Sequence, residues 1–163
     1  MTRRRISPAA LPADVADNNA YSYGVLDGDV LHVSGMVAFA PDGSYVGLGD
    51  IDAQARQVFG NLQAVVEEAG GTLDDVVSTT TYLASNQYAA AVGAVRKEFF
   101  TGPVPPTSTV VVAATSGTNA TSRPPAPNAL AASRARRVLP VPPRPTRVTS
   151  LAASPCSNRM SVR

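Results

Sequence analysis

A chain of 163 residues, 44% hydrophobic and 16% charged, has the length and composition of one globular domain, and it contains no run of about 18 apolar residues that could span a membrane. One cysteine and one histidine leave no basis for a disulfide framework within the chain, a multi-cysteine metal site or a self-contained histidine metal centre. The net charge of +2 hides a split. Residues 1–114 hold all 12 acidic residues and six basic ones, whereas residues 115–163 hold eight arginines, eight of the 14 prolines, no lysine and no acid. This composition shift divides the chain into an N-terminal segment (1–16), a compact unit (17–114) and an Arg/Pro/Ala-rich tail (115–163). Arg3, Arg4 and Arg5 are followed by Pro8 and Pro12, which interrupt any signal-peptide core, so the cytoplasm is the expected location.

Within the compact unit, residues 20–26 form the first expected strand. Asp27 and Gly28 signal a two-residue hairpin, and residues 30–39 form the return strand. Strand alternation puts Leu31, Val33, Val37 and Phe39 on one face and His32, Ser34 and Met36 on the other. That second face is expected to line a subunit contact or a pocket. Pro41, Asp42 and Gly43 mark a turn, and residues 44–47 add a short strand. Asp50 or Asp52 caps a helix whose apolar stripe is Ala55, Val58, Phe59, Leu62, Val65, Val66 and Ala69, and Gly70 with Gly71 ends it in a left-handed cap. Residues 76–84, rich in Val and Thr, read as a strand. Ser85 or Asn86 caps a second helix reaching Phe100, with Tyr88, Ala91, Val92, Val95 and Phe99 as its stripe. Pro103, Pro105 and Pro106 exclude helix, and residues 107–114 read as a further strand. Strands alternating with helices in this order make a mixed sheet with two helices on one face, an α+β unit.

Several strings, taken together and in order, resemble the RidA (YjgF-like) reactive-intermediate deaminase family. They are Ala20, Tyr21, Ser22; the turn Asp27, Gly28, Asp29; Val33, Ser34, Gly35; the helix from Gln54 to Gly71; the segment 76–83; Glu98, Phe99, Phe100; and the Pro105, Pro106 strand entry. The resemblance covers about residues 17–114. It implies a chorismate-mutase-like fold and a homotrimer with a small-molecule ligand in each cleft between subunits. It further implies hydrolysis of small enamines and imines to 2-oxo acids and ammonia, with no metal and no cofactor. The family's pocket positions fall on Tyr21, Ser34, Gly35, Thr107 and Ser108, the substrate-binding candidates; no catalytic residue is assigned.

The chain departs from the family where the chemistry is most demanding. Deaminase members carry an arginine at the position of Thr107 and a cysteine at that of Thr109. The family's acidic last strand has no counterpart after residue 114, so this final strand is expected to be missing. A threonine hydroxyl cannot supply the charged, two-pronged grip that a guanidinium gives a carboxylate. Two readings follow: an imine or enamine deaminase, or a non-catalytic ligand-binding or protein-protective trimer of the same fold. His32 reads as local packing, and Cys156 lies in the tail with no histidine partner. The tail arginines are spread among prolines without aromatic residues, which argues against nucleic-acid binding. The tail has the composition of a GC-rich gene read in another frame and is expected to be disordered.

Overall fold

Most of the expected elements rest on local chemistry. In the computed structural model, which describes residues 3–113 and the backbone of residues 130–138, strands β2 (Gly24–Asp27) and β3 (Val30–Val33) pair antiparallel across a two-residue loop. Gly28 opens this loop at φ +62, as a type II′ turn requires of its first residue. Helix α2 (Ile51–Glu68) begins at Asp50, whose carboxylate accepts the Ala53 N–H at 3.0 Å. Ala55, Val58, Phe59, Leu62, Val65 and Val66 are buried as one stripe, with Ala69 half-buried beyond them. Gly70 adopts φ +93, and the N–H groups of Gly71 and Gly70 return to Val66 O (3.0 Å) and Glu67 O (2.9 Å), closing the expected C-terminal cap. Strand β4 (Val76–Leu83) follows. Ser85 caps a short 3-10 turn that leads into helix α3 (Ala89–Phe99). Strand β5 (Thr107–Val112) leaves the prolines and runs parallel to β4.

Residues 3–16, whose pattern announces no element, join the same body. Strand β1 (Arg3–Ile6) pairs antiparallel with β2, and Ile6, Leu11 and Ala16 enter the core. Three exposed arginines mask the single inward residue of β1, and two of them reach acids elsewhere: Arg3 meets Asp27 and Arg5 meets Asp17. Helix α1 (Ala13–Asn18) ends on Ala20 at φ +53, a conformation that costs a non-glycine residue about 1–2 kcal/mol. The Tyr21 N–H reaches back to Ala16 O at 3.1 Å. The strand expected from residue 20 therefore starts only at Gly24.

The return strand is also shorter than expected, because its alternation slips. Leu31 and Val33 are buried, but Met36 and Ala38 follow them inward in place of Val37 and Phe39. The Phe39 N–H bonds Val37 O at 2.8 Å, a tight turn about Ala38, and Asn61 of α2 donates to both Val37 O and Phe39 O at 2.9 Å. His32 and Met36 thus do not share a face: His32 is exposed, and Met36 is 1% exposed in the core. The short strand expected at 44–47 reduces to a single bridge, Phe39 with Tyr45.

The expectation that no strand follows residue 114 does not hold. Strand β6 (Leu130–Val138) lies between β3 and β4, and the sheet order is β1-β2-β3-β6-β4-β5. It runs antiparallel to β4 from Val76↔Val138 to Leu83↔Leu130, with a shift between Thr81 and Tyr82, and it meets β3 at His32↔Arg136. Prolines stand on either side, at 127 and 140, but none falls within the strand, so every backbone donor of the ladder is present. The expected disorder of the tail otherwise concerns residues outside those described. Helices α2 and α3 pack together over one face of this mixed sheet, giving the chorismate-mutase-like α+β fold.

Candidate functional site

The five candidate residues fall into two groups. Tyr21 is the second residue past the α1 cap, half-buried, with its ring edge-on to Tyr23 at 5.4 Å. Ser34 follows β3 directly. Its N–H donates to Tyr23 O at 2.9 Å and its hydroxyl to Ser22 O at 2.5 Å. Tyr21, Ser34 and exposed Gly35 are thereby gathered at one end of the β2–β3 hairpin. The Ser34 hydroxyl proton is committed to the backbone, so toward a ligand this oxygen acts as an acceptor.

Thr107 and Ser108 open β5, at the opposite edge of the sheet. The Thr107 hydroxyl donates to Val77 O at 3.2 Å, while Thr107 O accepts from the Thr79 hydroxyl at 3.3 Å. Ser108 pairs with Thr79 across the ladder, is exposed, and its hydroxyl has no partner among the described residues. One register row crosses the whole sheet: Arg5, Val25, His32, Arg136, Ser78 and Thr107. Three strand spacings, about 14 Å, separate β3 from β5 along it. A single chain therefore holds the candidate residues in two separate groups.

Arg96 on α3 went unnoticed in the sequence because a basic residue late in an amphipathic helix normally faces solvent. Here it lies half-buried against the β5 entry. It donates to the Thr79 hydroxyl (2.6 Å) and to Pro106 O (3.1 Å), and its guanidinium stacks 4.7 Å from the centre of the Phe100 ring. Burial holds its pKa below the usual arginine range. The available signal was spacing: Arg96 follows the core residue Val95 and stands four positions before Phe100, the spacing at which helix side chains meet.

Among the described residues no group of three or more His, Cys, Asp or Glu could hold a metal ion, and no helix is long and apolar enough to cross a membrane. Beside Tyr21, Tyr23 is 3% exposed and donates its hydroxyl to Pro12 O at 2.8 Å. Burial first, then contact with the Tyr21 phenol, pushes its ionisation well above the ordinary tyrosine range. The native state thus holds the neutral phenol, while an unfolded tyrosine ionises near pH 10. This contribution is complete below pH 10 and lost as pH rises beyond it. Urea melts from pH 7 to 11 should show wild-type stability falling more steeply above pH 10 than that of Tyr23→Phe. Parallel curves would refute the assignment.

A family model described as endoribonuclease L-PSP matches residues 12–121. A 2-iminobutanoate/2-iminopropanoate deaminase of Dermatophagoides farinae is 33% identical over 111 residues, covering 68% of this chain and 84% of that protein. The crystal structure of the YjgF gene product of E. coli superposes with a TM-score of 0.67 at 29% identity, over 83% of this chain and 98% of that one. RidA from an Antarctic Psychrobacter superposes with a TM-score of 0.64 at 26% identity, over 85% of this chain and 99% of that one.

Proposed function

Because this chain belongs to the endoribonuclease L-PSP family, the RidA (YjgF-like) family, we propose that it binds small enamines and imines in a cleft completed between the subunits of a homotrimer. The observation that carries this reading is the separation of the two groups. Tyr21, Ser34 and Gly35 gather beside the end of β3, and β3 lies about 14 Å from the β5 strand of Thr107 and Ser108, too far for one small molecule to span. A neighbouring copy that sets its β5 edge against the β2–β3 end would join them. All six residues of β5 are exposed in the single chain, which leaves that edge available. Light scattering at micromolar concentration should give three times the 16.8 kDa chain mass, and a stable monomer would defeat the reading.

In the full reaction, water adds to the C=N carbon, the C–N bond then breaks, and ammonia leaves a 2-oxo acid. Deaminase relatives grip the substrate carboxylate where this chain has Thr107, and β5 carries no acidic residue to handle the water proton. A charge-assisted hydrogen bond contributes about 1.5–3 kcal/mol and a neutral one about 0.5–1.5, so the exchange forfeits about 1–1.5 kcal/mol. This favours ligand binding with slow hydrolysis over rapid deamination. With 2-iminobutanoate generated in situ, the wild type should release ammonia near the uncatalysed rate. Thr107→Arg should tighten carboxylate binding about tenfold without restoring full turnover. Rapid wild-type turnover would show that the arginine position is dispensable here.

A further inference from the structure

We propose that Arg96 and Ser108 together form a carboxylate-binding site at the β5 entry, with its positive charge supplied from helix α3. The inference rests on the small-ligand reading above and names the group that would hold the ligand's charge.

Three observations converge. First, Arg96 is half-buried, and no described carboxylate lies within ion-pair distance of it; Arg3, Arg5 and Arg56 each have one. A guanidinium withdrawn from water without a counter-ion is poorly compensated, and an incoming anion would relieve that cost. Second, the side chain is held and oriented on three sides, by the Thr79 hydroxyl, Pro106 O and the Phe100 ring. A guanidinium has five N–H donors, and these contacts use two of them, leaving three for a ligand. Third, Ser108 is the register partner of Thr79, and cross-strand partners share a face of the sheet. The exposed Ser108 hydroxyl therefore stands on the same face as the hydroxyl that Arg96 binds, where it can add a neutral donor to the charged ones. Planar guanidinium donors beside a hydroxyl suit a carboxylate, the group shared by 2-imino acids and their 2-oxo acid products.

The stable probe is 2-oxobutanoate, with 2-oxobutanamide as its uncharged counterpart, each titrated into the full-length protein by NMR. Wild type should bind the carboxylate at least tenfold more tightly than the amide. Arg96→Gln should abolish that preference while leaving the weak binding of the amide in place. Because Arg96 also ties α3 to the sheet, Ser108→Ala provides a variant at an exposed position. It should weaken 2-oxobutanoate binding several-fold with an unchanged melting temperature. The proposal is overturned if wild type does not prefer the carboxylate, or if a folded Arg96→Gln or Ser108→Ala variant binds it as tightly as wild type. A monomer in light scattering alongside retained, Arg96-dependent binding would defeat only the subunit-cleft reading. A trimer that binds 2-oxobutanoate independently of Arg96 would defeat only this one.

Discussion

Truncation after Ala113 should abolish cooperative folding. Among the described residues, strand β6 is the sole bridge between β1–β2–β3 on one side and β4–β5 on the other, and helix α2 packs over it. Without it the sheet becomes a three-stranded and a two-stranded fragment. The facing ladder groups of β3 and β4 then lose their partners beneath a helix, where water serves them poorly. Each unmet buried backbone group costs about 1–3 kcal/mol. At that rate the seven registered pairs between β4 and β6 represent about 7–21 kcal/mol, comparable to the roughly 5–15 kcal/mol that holds a domain together. A thermal melt followed by circular dichroism should show no sigmoidal transition for the truncated chain. A transition within a few degrees of the full-length protein would exclude β6 from the sheet. Limited trypsin digestion gives an independent check: cleavage at Arg134, Arg136 and Arg137 should require global unfolding.

Phe59→Ala should cost about 3–5 kcal/mol, the usual range for a buried phenylalanine. Phe59 is 1% exposed in the middle of α2, with its ring 5.5 Å from Phe99 and edge-on to Phe100 at 5.9 Å. These three rings fasten α2 to the C-terminal end of α3, and Phe100 also supports the Arg96 guanidinium. The void would therefore loosen the β5 entry as well as the core. Urea denaturation measures the loss, and a change below about 1 kcal/mol would mean that the surrounding side chains close the cavity.

What could be read from the residues follows the range of the forces involved. The hairpin turn, the buried stripe of α2 and the Gly70 cap depend on neighbours within a turn or two, and they appear as written. Strand β6 does not: Ala and Arg have little intrinsic strand preference, and the segment is a strand because β3 and β4 offer ladders on both sides. The slip after Ser34 likewise depends on Asn61, a residue far along the chain that captures two carbonyls at once. The same holds for the site. The candidate residues stand in local strings, whereas the setting of Arg96 depends on the Thr79 and Pro106 atoms that the fold brings to it.

The position of β6 also sets a timetable for biosynthesis. His32 is made early and must wait for Arg136 before its strand gains its second neighbour. At about 5–20 residues per second, the roughly one hundred intervening residues keep the β1–β2–β3 meander waiting for about 5–20 s on the ribosome. During that interval the growing chain exposes an unfilled strand edge, the kind of surface that invites pairing with other chains. The centre of this sheet is the last of its strands to be synthesised, so the inner edge of β3 stays open longest.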